Sequence, residues 1–341
     1  MCDIAIVVPA HCAAKTIEKS INSVLNQNFK NFELILVDDV PGDETGEICD
    51  RYAEIDSRVK TVHLEASVNL SEARNIGIEY AKSNYICFLD SDDEIAAGAL
   101  QKAYELAKKT EAEIVIGSKL HIDEADKSSI IIGPKKGAVV FRRQEIIQNL
   151  IQQYFDNSLP GLGQCNLQSI LFNQGFLNKN AIRFNRNQTY GEDVRFTLEA
   201  YSVASIVALD EIPFHIYHYD SRSVSNKWHN KYMSATIESY KYQFEIINKT
   251  HLPKKCFYNL VGKTFVGINS VMLTQLNRGA NKKELRKYMK EAPIKNSLTK
   301  ILFMRSKNLI YADISNRQRI TALFYLLGMY KRGLSFEQTS K

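Results

Sequence analysis

The run Asp90-Ser91-Asp92-Asp93 puts three carboxylates within four residues, directly behind the apolar stretch Tyr85-Ile86-Cys87-Phe88-Leu89. Carboxylates this close repel one another and raise one another's pKa values, so the cluster calls for a compensating positive charge. A divalent cation is the simplest one. Mg²⁺ and Mn²⁺ prefer hard oxygen ligands and also bind phosphate oxygens, which is the chemistry that carries a nucleotide diphosphate. A plainer reading competes: Ser91 to Asp93 as the N-cap and acidic first turn of a following helix.

The elements around the cluster decide what else lies beside it. Short apolar runs at residues 4–9, 32–37 and 85–89 read as buried strands, and residues 59–64 read as a further strand between them. Between them, residues 15–26, 43–55 and 71–83 carry apolar residues at helical spacing, the third with Ala73, Ile76, Gly77 and Tyr80 along one face. Thr45 or Asp43 is the expected cap of the second helix. Strands alternating with helical crossovers imply a doubly wound, open, mostly parallel twisted sheet with flanking helices, an α/β class. Ligands of such sheets bind beyond the carboxyl ends of the strands. Three of those ends carry polar residues here: Pro9-Ala10-His11, Asp38-Asp39 and Asp90 to Asp93.

Farther on, residues 97–108 read as a helix and 114–117 as a strand. Residues 122–140 read as an irregular excursion or hairpin turning at Gly133-Pro134. Helices are expected at 142–156, 168–177 and 193–202, a loop at 157–163, and strands at 206–209 and 214–219. From about residue 227 the pattern is helical throughout, with candidates at 233–249, 254–276, 282–290 and 316–331.

Several blocks in this order and spacing resemble family 2 glycosyltransferases of the GT-A fold, the bacterial surface-polysaccharide type. They are Ile6-Val7-Val8-Pro9, Ser23-Val24-Leu25-Asn26-Gln27, Phe32 to Asp39, Gly46 to Asp50, Ser71 to Gly77, Phe88 to Asp93 and Tyr190-Gly191-Glu192-Asp193. The resemblance is dense over the first block and weaker over 94–225, and it stops near residue 230. It implies an inverting, metal-dependent hexosyl- or N-acetylhexosaminyltransferase using a nucleotide-sugar donor, with UDP as the expected nucleotide. The acceptor would be a hydroxyl of a glycan or lipid-linked molecule in capsule, lipopolysaccharide or related synthesis.

The resemblance also implies residue roles. Asp39 would accept the uracil imide N–H, as suits a group that only accepts. Pro9 and His11 would flank the base. Arg74 would contact the nucleotide through its guanidinium fork, with a structural ion pair to Asp38 or Asp90 as the alternative. In the DxD motif, Asp92 would ligate Mn²⁺ or Mg²⁺, Asp90 would lie near the ribose and metal-bound water, Ser91 would be a spacer, and Asp93 a helix cap or supporting group. Asp193 would be the general base, with Glu192 binding acceptor or standing in for it. Arg222 or His218 would approach the diphosphate and metal. The sequence departs from the family at Ala10-His11-Cys12, Val40-Pro41-Gly42, Val68-Asn69-Leu70 and Gln164-Cys165-Asn166-Leu167, all around the expected donor and acceptor pockets.

Bulk properties narrow the alternatives. Of 341 residues, 45% are hydrophobic and 24% charged, an ordinary globular balance. The six cysteines are scattered without CxxC spacing, which predicts neither a zinc site nor a disulfide framework and fits a reducing cytosol. No basic leader and no spanning apolar window is evident. The formal net charge of +6 gathers its excess in residues 254–332. Basic-ended apolar stretches at 300–307 and 317–332 suit either a core helix or a helix lying on an anionic membrane, and the region could also serve a homo-oligomer contact. No nucleic-acid-binding motif accompanies the charge.

The expected organisation is therefore a GT-A catalytic domain over 1–228, with nucleotide-sugar binding in 1–120 and the acceptor side in 121–228. A helical region follows over 229–341. The expected location is the cytoplasm, peripheral at the inner face of the membrane. Two rivals stand beside it. One is a non-catalytic nucleotide-sugar-binding subunit of a polysaccharide complex. The other is a sugar nucleotidyltransferase, which would need a Gly-rich basic loop that residues 11–15 lack.

Overall fold

The computed structural model describes residues 2–39, 42–123, 127–134, 137–156, 167–188, 190–219, 232–261 and 263–264. The chain divides into two compact units, Met1–Asn187 with Glu192–Asp220 and Gln188–Gly191 with Ser221–Lys341.

The first unit begins with β1 (Ile4–Ala10), α1 (Ile17–Leu25), β2 (Phe32–Asp38), α2 (Thr45–Ile55), β3 (Val59–His63), α3 (Leu70–Tyr80) and β4 (Tyr85–Phe88). Every residue of β1, β2 and β4 is buried. Two-sided burial explains why these strands read as continuous apolar runs rather than alternating ones. Ile4, Ile6 and Val8 pack in one cluster with Ile17, Ile21 and Val24 of α1. Val7 faces α3, where a Cβ on Gly77 would lie 2.2 Å from Val7 Cγ1. Gly77 is therefore what lets α3 sit so close to β1. The Asn69 side chain caps α3 by accepting from Glu72 N at 3.0 Å.

After β4 come β5 (Glu94–Ile95), α4 (Ala99–Thr110), β6 (Ile114–Asp123), β7 (Ser129–Ile132) and β8 (Val139–Arg142). The helix expected over 142–156 runs as α5 (Arg143–Ile146), a π-helical stretch (Ile147–Gln152) and α6 (Gln153–Asp156). A 3₁₀ turn (Leu167–Ser169), β9 (Ile170–Asn173), α7 (Gln174–Lys179), α8 (Glu192–Val203) and β10 (Ile206–Tyr219) complete the unit.

One sheet joins all ten strands, in the order β3-β2-β1-β4-β9-β6-β10-β5, with β7 on β6 and β8 on β10. The pairs among β3, β2, β1 and β4 are parallel, as is β6 with β10. Strand β9 runs antiparallel between β4 and β6. The architecture is the expected mixed α/β twisted sheet with flanking helices.

Several expectations need correction. Residues 168–177 are not one helix: Ile170-Leu171-Phe172 form the centre of the sheet, and only Gln174–Lys179 is helical. A short apolar run fits either state, and burial on both faces selects the strand. Gly133-Pro134 does not turn the hairpin; it follows β7, whose antiparallel partner is β6. The two late strands are a single β10, with its register broken around Pro213, which lacks the N–H a ladder needs. On α3, Tyr80 is exposed, and the buried face is instead Ser71, Ala73, Arg74, Asn75, Gly77 and Ile78.

In the second unit, α9 (Tyr232–Lys249) buries Phe244, Ile246 and Ile247, and the Phe244 and Phe257 rings lie 5.3 Å apart. Residues 254–261 and 263–264 are helical. The helices expected at 282–290 and 316–331, the loop at 157–163 and Arg222 lie outside the described residues. Among the described residues no helix is long and apolar enough to cross a membrane.

Candidate active site

Parallel pairing of β2, β1 and β4 brings their carboxyl ends to one edge of the sheet. Ala10 is in register with Asp38, and the Asp39 N–H donates to Ala10 O at 2.8 Å. This edge carries His11, Asp39 and the turn Asp90 to Asp93.

Arg74 is the hub of the edge. Its guanidinium is buried, with Nη2 donating to Asp90 Oδ1 at 2.8 Å and Nη1 donating to Glu192 Oε1 at 3.1 Å. The ion-pair alternative is thus realised with Asp90. Asp38 instead lies 2.9 Å from His63 Nδ1. Burial alone would lower the Arg74 pKa, but the charges of Asp90 and Glu192 prevail and raise it. Arg74 Nε is buried with no hydrogen-bond partner. Below the guanidinium, 5.4 Å from it, lies the Phe184 ring, which stacks on Phe196 at 4.1 Å with Phe88 edge-on. Asn75 fixes Phe184 by a reciprocal pair: its Nδ2 donates to Phe184 O, and Phe184 N donates to its Oδ1, both at 2.9 Å. One helix thus positions the guanidinium and the aromatic platform under it.

The acidic turn divides into three environments. Asp90 is fully engaged, since Oδ2 also accepts from Gln168 Nε2 at 2.7 Å. Asp93 is buried; Oδ2 lies 2.7 Å from His215 Nε2, Oδ1 accepts from His218 N at 3.2 Å, and its carbonyl accepts from Ser20 Oγ at 2.6 Å. Asp93 is therefore not a helix cap. The segment after it is β5, and α4 starts only at Ala99 behind Gly98. Asp92 reaches the surface, and among the described residues no donor of another residue reaches its side chain. Protein packed around it, with the charges of Asp93 and Asp90, pushes its carboxyl up to about 6.

A carboxylate crowded in this way is a fitting ligand for a divalent cation. Mg²⁺-type sites need only one or two protein carboxylates when phosphates and waters complete the shell. The wider set of Asp92, Asp90 and His218 is not assembled. Among the described residues no group of three or more His, Cys, Asp or Glu is arranged to hold a metal. His218 Nε2 instead lies 2.6 Å from Glu94 Oε1 and 3.0 Å from Lys19 Nζ, whose positive charge disfavours a cation there. Ser91 is half-buried in the turn, and Pro9 is buried within β1.

At the β2 end, Asp39 Oδ1 accepts from Val68 N at 2.8 Å and Oδ2 from Ser67 Oγ at 3.3 Å. The exposed His11 lies beside it, Nδ1 to Asp39 O at 2.9 Å. The carboxylate thus ties β2 to the loop entering α3 and keeps acceptor capacity on Oδ2.

Helix α8 opens with Glu192 and Asp193, behind Gly191 at φ +70°, a conformation that favours glycine. Burial raises the Asp193 carboxyl to about 6, with the Glu192 charge adding and Arg74 opposing. That value suits a group that takes a proton near neutral pH. Gln168 and His215 had no sequence signal that placed them here; each reaches the acidic turn from an element distant in the chain.

Comparison with known proteins matches this geometry. The description Glycosyl transferase family 2 fits residues 5–156. The glycosyltransferase GlyG of Streptococcus pneumoniae is 37% identical over 123 residues, 36% of this chain and 41% of GlyG. The glycosyltransferase EpsJ of Bacillus subtilis is 26% identical over 259 residues, 76% of this chain and 70% of EpsJ. The chain thus spans less than half the length of GlyG. Among solved structures, S. aureus TarS 1–349 in complex with UDP superimposes with a TM-score of 0.69 at 16% identity, covering 99% of this chain and 92% of that one. The same protein in complex with UDP-GlcNAc gives 0.65. Residues 5–156 thus match the glycosyl transferase family 2 model, and the chain carries the GT-A fold.

Proposed function

We propose that this chain is an inverting glycosyltransferase that moves a hexosyl or N-acetylhexosaminyl group from a UDP-sugar to a hydroxyl of a glycan or lipid-linked acceptor in surface-polysaccharide synthesis. One observation carries the reading. Arg74 bridges Asp90, at the end of β4, to Glu192, at the start of α8, and so draws the acidic turn and the raised carboxyl of Asp193 to one centre. The UDP and UDP-GlcNAc bound by TarS support the donor class.

The donor lies over the carboxyl ends of β1, β2 and β4. Asp39 accepts the uracil imide N–H, with Pro9 and His11 flanking the base. Asp92 holds Mn²⁺ or Mg²⁺, which when bound offsets the charge of the departing diphosphate. Asp90, fixed by Arg74 and Gln168, lies toward the ribose. Asp193 accepts the proton of the acceptor hydroxyl as that oxygen bonds to C1 and the C1–phosphate oxygen bond breaks on the opposite face. Glu192, held by Arg74, binds the acceptor. Residues 1–228 act as the catalytic domain, and the helical region 229–341 meets a membrane surface or a second copy. The working location is cytoplasmic, at the inner face of the membrane.

The test is UDP release from a panel of UDP-sugars with Mn²⁺ and pooled cell-surface acceptors. The reading expects release with at least one sugar and its loss in Asp92→Asn. No release with any donor, alongside retained UDP binding, would favour the binding-subunit alternative.

A further inference from the structure

Lys119 lies on β6 in register with His215 of β10, the residue whose ring meets Asp93. Lys119, His215 and Tyr217 share one face of the sheet, because paired residues and those two apart point the same way. Lys119 Nζ lies 5.1 Å over the Tyr217 ring. The side chain is half-buried, and among the described residues its ammonium makes no hydrogen bond and no ion pair. Asp93 does not turn to it, since His215 and the His218 N–H take both its oxygens. A desolvated ammonium has three donors and no acceptor of its own, which is costly until an anion arrives. Burial lowers the Lys119 pKa, while Asp93 and Asp193 act to raise it, so the lysine sits within the field of both the acidic turn and α8.

We propose that Lys119 is an anion-binding residue of this site and takes a phosphate oxygen of a substrate. This rests on the glycosyltransferase reading. A lysine on an aromatic face is a point-charge binder suited to a phosphate oxygen. The phosphate is either that of the donor diphosphate or one carried by the acceptor.

Calorimetric titration separates these sources. UDP, uridine and, in the presence of saturating UDP, inorganic phosphate are titrated with Mn²⁺ into wild type, Lys119→Met and Lys119→Arg. Loss of one charge-assisted contact predicts that Lys119→Met weakens UDP, or phosphate on the UDP-loaded protein, by about tenfold or more. Uridine binding stays unchanged, and Lys119→Arg restores most of the loss. A UDP effect assigns the donor, and a phosphate effect assigns the acceptor. The proposal is overturned if UDP affinity stays within about twofold in Lys119→Met and phosphate is unbound or unmoved. It is overturned equally if uridine weakens as much as UDP, which would mean general damage. If wild type binds neither UDP nor uridine, the glycosyltransferase reading itself fails and takes this role with it.

Discussion

Replacing Arg74 with Met keeps most of the side-chain volume but removes the charge at the centre of the site. Arg74 is 2% exposed, while its partners Asp90 and Glu192 are 29% and 12% exposed. Breaking a buried pair by deleting one partner costs about 3–5 kcal/mol, because the remaining charge is left uncompensated. Two features place this case at the lower end. Asp90 is partly wet and keeps Gln168, and the orphaned Arg74 Nε disappears with the substitution. The expected loss is therefore about 3 kcal/mol, which lowers the melting temperature of the first unit by about 6–12 °C. Urea unfolding followed by near-UV circular dichroism gives the free energy, and a double-mutant cycle with Asp90→Asn isolates the pair. A loss below about 1 kcal/mol would refute the idea that Arg74 holds the acidic turn to α8, since that is the range of solvent-exposed pairs.

Gly77→Ala places a Cβ where Val7 Cγ1 stands 2.2 Å away, so α3 must shift off β1; a loss of about 1–3 kcal/mol is expected in urea unfolding. The transfer rate should rise with pH through an apparent pKa near 6, since Asp193 acts as base only when deprotonated and its carboxyl is raised to about 6. The midpoint belongs to Asp193 and Glu192 jointly, so Glu192→Gln should move it downward by removing a like charge; an unmoved profile in kcat/KM would count against the assignment.

Strands β1, β2 and β4 were readable because both their faces are buried, so their apolar runs are unbroken. The Asp90 to Asp93 cluster was visible as a cost that needed offsetting. Its internal division was not visible, because it depends on partners far along the chain: Gln168 on a 3₁₀ turn, His215 on β10 and Arg74 on α3. Strand β9 was misread because Ile170-Leu171-Phe172 suits helix or strand equally until its neighbours β4 and β6 are known. Arg74 was legible as a functional type, but the choice between Asp38 and Asp90 turned on His63, which occupies Asp38 from the adjacent strand. Lys119 gave no signal at all, since a lysine on a strand ordinarily marks a solvated face.

The central claim, that Asp193 removes the acceptor proton at a donor site held separately by the β-strand ends, has a direct measurement in Asp193→Asn. The account predicts UDP affinity within a few-fold of wild type by calorimetry and a loss of sugar transfer by about 10²–10⁴-fold, the usual contribution of a positioned base. Transfer near the wild-type rate in Asp193→Asn would contradict it.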